Sequence, residues 1–296
     1  MKKHKITFIM ILFFFIGLLV LLYPSISNYH NQKVQSKAIF DYESLLNNYN
    51  NNDYDNLFAV ANNYNLELAK LTNPFVTHNT IKNYHDVLNI HGSGMMGYLT
   101  INKIKVELPI YHGTSEDVLS KAVGHVEGSS LPVSEKGTHS VLSAHRGLPS
   151  SKLFTELDKL EIGDTFTITI LNRTLTYEVD KITIVNPNDT KELTINPDED
   201  YVTLLTCTPY GINTHRLLVR GKRINDKPKT IYVTTEAFRI NTLIVMPMVA
   251  IPIILVLLLI ILIKPVKNNK IRKKYLNKIE TKTKEIKKGE SYEKKS

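Results

Sequence analysis

A mainly β domain, preceded by helices and flanked by two transmembrane helices, is the architecture this sequence predicts. Three observations carry it. Two long apolar runs lie near the ends, the basic charge is gathered outside them, and the interval from Gly92 to Ile224 holds short strand-like runs separated by turn residues.

The first apolar run, residues 6–23, follows Lys2, Lys3 and Lys5, and the second, residues 242–263, is followed by Lys264. Each is close to the ~20 residues that cross a bilayer as a helix, and Pro247 and Pro252 are tolerated in such a helix. A cleaved signal peptide competes for the first run, because Ser25–Ser27 resembles a small-x-small cleavage site. The apolar region of a signal peptide is shorter, about 7–15 residues, so an uncleaved anchor is expected. Residues 264–296 carry 13 Lys/Arg against 4 Asp/Glu, a net +9 that equals the charge of the whole chain. The basicity thus belongs to the two ends, and the part between them is mildly acidic. Positive charge outside both spans predicts cytoplasmic termini and an intervening domain on the other face. The tail suits anionic lipid head groups, and nothing is left over to argue for nucleic acid.

Between the spans, Ala38, Tyr42, Leu45 and Tyr49, with Ile39 and Leu46 beside them, recur at helical spacing. An Asn-rich stretch, Asn47–Asn52, interrupts the pattern. Asp53 is then expected to cap a second helix running through Leu71, with Leu57, Phe58, Ala61, Tyr64 and Leu68 inward. From Gly97 the period changes to two. "GYLTINKIKVELPIYHG" (Gly97–Gly113), "HSVLSA" (His139–Ala144), "TFTITI" (Thr165–Ile170), "LTYEVDKITIV" (Leu175–Val185), "YVTLLTC" (Tyr201–Cys207) and "HRLLVRGKRI" (His215–Ile224) read as strands. Many short strands at close spacing predict a sandwich or closed barrel. A short helix is expected at Ser151–Leu160.

Cys207 is the only cysteine. A lone thiol in an extracytoplasmic domain reads either as a reactive group or as a buried, inert one. Its place between a strand and the turn "TPYG" favours a side chain held rigidly yet exposed. A base or cation would raise its thiolate fraction. Arg216 begins the next strand, and His145 ends another in "SAHRG". Among the 10 histidines, His139 and His215 lie near the same motifs, and spacing alone does not exclude them. No cofactor is implied, since no ligand cluster has metal spacing. Gly92, Gly94 and Gly97 precede a strand rather than the helix of a phosphate loop, and Asp198, Glu199 and Asp200 read as an acidic turn rather than a cation site.

"TLLTCTPYGINTHRLLVRG" (Thr203–Gly221) resembles the sortases, membrane-anchored cysteine transpeptidases of Gram-positive bacteria. The likeness extends over "GYLTINKIKVELPIYHG" and "GHVEGSSLPVSEKGTHSVLSAHRGLP" (Gly124–Pro149). The resemblance implies a closed eight-stranded β-barrel. It further implies Cys207 as nucleophile, His145 as general acid/base, Arg216 as the cation that stabilises the oxyanion, and Leu205 and Thr206 as substrate-binding residues. The implied substrate is a Leu-Pro-x-Thr-Gly-like sorting signal on a surface or pilin protein.

The second span, the wording around Cys207 and the helices leading to "TNPF" (Thr72–Phe75) are most like the pilus-assembling class C. In that class a lid carries an Asp-Pro-aromatic motif over the active site. Here Pro74 and Phe75 match, while Asn73 replaces the acid and loses the charge that would strengthen a contact to Arg216. A turn ending the preceding helix is the plainer reading of "NPF". The expected division is residues 1–5 in the cytoplasm, 6–23 anchor, 24–71 helical extension, 72–91 lid region, 92–226 catalytic barrel, 227–241 linker, 242–263 second span and 264–296 basic tail. The acceptor would be a pilin lysine, or alternatively the amine of a cell-wall precursor. A hydrolase that passes the acyl group to water and a tethered binding module with a dead site are the remaining readings.

Overall fold

The computed structural model describes residues 2–224, 254 and 272–284. The linker and second span expected at 227–263 lie outside the described residues, apart from one helical position, and the tail is described only at 272–284, where it is an exposed helix.

Helix α1 runs from Lys2 to Leu46 through Pro24, so anchor and extension form one continuous helix. Among the described residues it is the one helix long and apolar enough to cross a membrane, and its most apolar stretch buries nothing against the rest of the protein. Its C-terminal half is different in chemistry and docks on the β domain. Ile39 and Tyr42 are buried. The Tyr42 hydroxyl donates to the Met96 carbonyl at 2.9 Å and accepts from the Leu171 amide at 2.9 Å. Gln35 donates to the Lys121 carbonyl at 2.7 Å.

Helix α2, Asn51–Leu68, is capped one turn earlier than the sequence predicts. Asn50 accepts from the Asn52 and Asp53 amides, and Asp53 reaches back to the Asn50 amide at 2.9 Å. Asp53 is therefore the third-position partner of a capping box rather than the cap. The helix stops at Leu68, three residues short of the expected end. Phe58, Ala61, Tyr64 and Leu68 are buried as expected. Asn65, which the apolar pattern does not mark, is buried with them and hydrogen-bonds both the amide and the carbonyl of Leu131.

Eight strands follow: β1 Met95–Ile101, β2 Val106–His112, β3 Val123–His125, β4 Thr138–Ser143, β5 Thr165–Ile170, β6 Arg173–Val185, β7 Asp200–Thr208 and β8 His215–Arg223. They close in the order β1-β2-β3-β4-β7-β8-β6-β5, and closure removes the unpaired edges that an open sheet would expose. The run Gly97–Gly113 is two strands, turned at Asn102–Lys105 with Lys105 in the left-handed region. The helix expected at Ser151–Leu160 is instead a series of turns with a single 3-10 turn at Leu157–Lys159, because Leu153 takes a positive φ. Leu153, Phe154, Leu157 and Leu160 still bury their side chains, so the helical spacing reported burial and not backbone.

The barrel is mixed. Two pairs, β2–β3 and β4–β7, are parallel. Val202, Leu204, Leu217 and Val219 point inward to the main core, which includes the stacked rings of Phe166 and Tyr177. A second, smaller apolar cluster sits on the outer face, built from Val141, Leu193 and Leu218 with Phe75, Val126, Val185 and Leu205 against it. The two clusters follow from the alternation of side chains along each strand.

Asp200, from the acidic run, begins β7 as a buried side chain near the Tyr177 and Thr138 hydroxyls. Burial pushes its carboxyl up to about 6. A raised carboxyl favours the folded state when protonated, so its contribution is complete below about pH 4 and is lost as the pH rises through 6. Asp200→Asn is expected to be more stable than wild type at pH 7 by on the order of 2 kcal/mol, a Tm gain of about 4–8 °C. The gain should disappear by pH 4, and thermal unfolding of both chains across that range checks it.

Candidate active site

Three strand ends meet at one rim of the barrel. On β7 the outward positions include Leu205 and Cys207, and β8 runs antiparallel beside it with Cys207 directly opposite Arg216. Cys207 is a free, partly exposed thiol. The connecting turn is tied by the Ile212 and Asn213 amides donating to the Pro209 carbonyl at 3.1 and 2.9 Å. Gly211 and Asn213 both take positive φ there. The Arg216 guanidinium rests on the carbonyls of Asn213 and His215, at 3.3 and 3.2 Å.

His145 arrives on the other side of β7. Strand β4 runs parallel to β7 and pairs Ser143 with Leu205. Beyond the strand the Ala144 amide donates to the Leu205 carbonyl at 3.2 Å, and the Thr206 hydroxyl donates to the Ala144 carbonyl at 2.7 Å. His145 follows directly, so β4 delivers it to the rim at which β7 delivers Cys207. The Phe154 amide donates to the His145 carbonyl at 3.1 Å and holds the turn. The imidazole is 30% exposed, with Nε2 3.4 Å from Glu116 Oε2.

The other histidines that spacing left open are committed elsewhere. His139 is buried; its Nδ1 lies 2.9 Å from the Thr194 carbonyl and its Nε2 2.7 Å from the Thr203 hydroxyl, and burial lowers its pKa. His215 is exposed and contacts its neighbour Thr214. His125, wholly buried, is pushed down to about 4 by its burial.

Of the two residues expected to bind substrate, Leu205 stands on the outer apolar cluster two positions before Cys207. Thr206 points the other way, is 1% exposed and spends its hydroxyl on Ala144, so it ties β4 to β7 and leaves no free donor for a ligand. Arg146, which the sequence reading passed over, belongs to the same scaffold. Its guanidinium donates to the Thr208 hydroxyl at 3.1 Å and to Asp158 at 2.5 Å. The signal was available in "HRG", but a buried arginine cannot be told from an exposed one without the fold.

Asn73, Pro74 and Phe75 lie across the outer cluster. Asn73-Pro74 opens a short helix, α3 (Pro74–Thr77), rather than ending α2. Proline suits a first helical position, where its missing N–H costs nothing. Phe75 packs on the cluster that contains Leu205 and Leu218. The contact is close because Gly128 has no side chain. A Cβ there would lie 2.7 Å from both Phe75 Cα and the Pro74 carbonyl oxygen. The Asn73 side chain is exposed and makes no capping bond, and among the described residues no hydrogen bond joins it to Arg216. A different contact holds this segment: His78 Nε2 lies 3.2 Å from Glu127 Oε2.

A family profile described as "Sortase domain" matches residues 99–224. Sortase C1 from Streptococcus agalactiae is 48% identical, with a TM-score of 0.60, over 64% of this chain and 100% of that one. A sortase C from Streptococcus pneumoniae is 42% identical, with a TM-score of 0.57, over 65% of this chain and 99% of that one. Sortase D from Bacillus subtilis (strain 168) is 36% identical over 131 residues, which are 43% of this chain and 63% of that relative's length. Identity of 42–48% along 99–100% of solved sortase structures is not a matter of fold alone. The chain belongs to the sortase family of cysteine transpeptidases, and the solved structures it resembles are sortases of class C.

Proposed function

We propose that the chain cleaves a Leu-Pro-x-Thr-Gly-like sorting signal between Thr and Gly and joins the Thr carbonyl to a lysine amine of a pilin subunit. The observation that carries this reading is the pairing of Cys207 with Arg216 across β7 and β8, with the parallel β4 delivering His145 to the same rim. The Cys207 thiolate attacks the Thr carbonyl carbon. Negative charge moves to oxygen, where Arg216 and backbone N–H groups meet it. The intermediate collapses, the Thr–Gly C–N bond breaks, and His145 gives its proton to the departing Gly amine. A thioester remains. The lysine amine attacks it, loses a proton to His145 and releases the thiolate as the new amide forms.

The outer cluster around Leu205 and Leu218 would take the apolar Leu-Pro part of the signal, and Phe75 occupies that cluster as a lid. The Streptococcus pneumoniae sortase C is described for its pilin substrate specificity, which supports a pilin acceptor. The apolar start of α1 supports a membrane anchor. With the apolar run at 242–263 and the basic tail, it gives two spans, cytoplasmic ends and an external catalytic domain.

The direct test is mass spectrometry of the full-length chain in detergent. It is incubated with a Leu-Pro-x-Thr-Gly peptide and two competing amines, a pilin domain with its acceptor lysine and a short oligoglycine. The expected result is an adduct on Cys207 that passes to the pilin lysine and is absent in Cys207→Ala. Transfer to oligoglycine alone would replace pilus assembly with wall anchoring. No adduct, even with Phe75→Ala, would leave a tethered module without activity. The lid is tested separately. Gly128→Ala should push the Pro74–Phe75 segment off the barrel and raise the rate of Cys207 alkylation severalfold, as should Phe75→Ala. Unchanged rates in both variants would remove the lid from the proposal.

A further inference from the structure

We infer that Glu116 is a positioning residue for His145, orienting the imidazole through a contact at Nε2; this rests on the reading of His145 as the general acid/base. Glu116 opens the short helix α4, Glu116–Leu119, in the crossover from β2 to β3. A parallel pair needs such a crossover, and this one is pressed unusually close. A Cβ on Gly124 of β3 would lie 2.4 Å from the Gly113 carbonyl oxygen and 3.1 Å from Leu119 Cδ2. The absence of that Cβ lets the crossover lie on β3, and Gly124 pairs with Ser143, two residues before His145. The Glu116 carboxylate thereby comes to 3.4 Å from His145 Nε2. Among the described residues it has no other hydrogen-bond or ion-pair partner.

The charges around His145 explain why a carboxylate is useful there. Cys207 stands beside it on β7, and Arg216 lies beyond on β8. Arg146, its neighbour in sequence, is turned to Asp158 and Thr208. A guanidinium near an imidazole disfavours the imidazolium, and an acid in contact favours it. With Nε2 donating to Glu116, Nδ1 is left for proton transfer. The carboxylate is 78% exposed, so its effect is that of a surface ion pair.

The test compares wild type, Glu116→Gln, Glu116→Asp, His145→Ala and the His145→Ala/Glu116→Gln double variant, all as full-length chains in detergent. Cleavage of a Leu-Pro-x-Thr-Gly peptide and alkylation of Cys207 by iodoacetamide are followed against pH. If a protonated His145 is needed to release the Gly amine, the alkaline limb of the Glu116→Gln cleavage profile moves to lower pH by about 0.2–0.7 unit. Above that limb kcat/KM falls about two- to fivefold, with Tm unchanged and partial recovery in Glu116→Asp. The alkylation profile also shifts in Glu116→Gln, and the shift is absent from the His145→Ala background. Superimposable wild-type and Glu116→Gln profiles would overturn the inference, as would a shift that persists without the imidazole, since Glu116 would then act on Cys207 directly. If His145→Ala itself cleaves peptide like wild type, the assignment of His145 fails and this inference with it. An inactive His145→Ala beside an unaltered Glu116→Gln marks failure of the Glu116 role alone.

Discussion

Parallel pairing of β4 with β7 is the constraint on which the rest of the site depends. Two parallel strands deliver their C-terminal ends to the same rim, so the residue after one and the last residues of the other emerge together. An antiparallel β4 would release His145 at the far rim, about 20 Å away for six residues. Strand β8, returning antiparallel through a tight turn, sets Arg216 against Cys207 from the other flank. The chain reinforces the junction where the ladder ends. The Thr206 hydroxyl takes the Ala144 carbonyl, and the Arg146 guanidinium takes the Thr208 hydroxyl. The first is buried and the second partly buried, and both join the segment that follows β4 to β7, so breaking the buried one would leave a partner unpaired in a dry place.

The face on which Cys207 stands carries the smaller apolar cluster. Leu205 and Leu218 supply its floor, and Phe75 lies on it. The segment bearing Phe75 is held by packing on Gly128 and by the His78–Glu127 pair rather than by a carboxylate at position 73. Packing of one ring and one partly exposed polar contact amount to a few kcal/mol at most.

The strands of the barrel were legible wherever side-chain alternation ran for six residues or more. β4 to β8 match their sequence runs to within two residues, because each has one face in the core and one face elsewhere. β3 was not legible. Three residues carry no period, and Val123, Gly124 and His125 are all buried. The turn inside Gly97–Gly113 was hidden because a lysine, not a glycine, takes the left-handed position. Leu153 misled for the same reason, ending a helix that its neighbours' spacing advertised. Cys207, His145 and Arg216 stood out through family wording, and composition alone left three histidines in contention. Burial removes His139, which has both ring nitrogens engaged inside the protein, a property of the fold that no local pattern encodes, whereas His215 is exposed and lies on β8 against Thr214. The carboxylate at position 116 was invisible for a related reason, since only the crossover brings it to a residue 29 positions away.

The separation of the two apolar clusters by a single closed sheet has a consequence for how such a protein changes over time. The main core fills the barrel and runs on beneath α1 and α2, and the smaller cluster beside Cys207 shares no residue with it. Exchanging the partly buried Leu205 or Val185 for side chains of other size would reshape that face while leaving the stacked Phe166 and Tyr177 untouched. Changes at positions that share no contacts are close to additive. Specificity can therefore drift by single substitutions without first accumulating stability to spend, and a library confined to the outward positions of β4, β7 and β8 should yield folded proteins far more often than one of equal size directed at the interior.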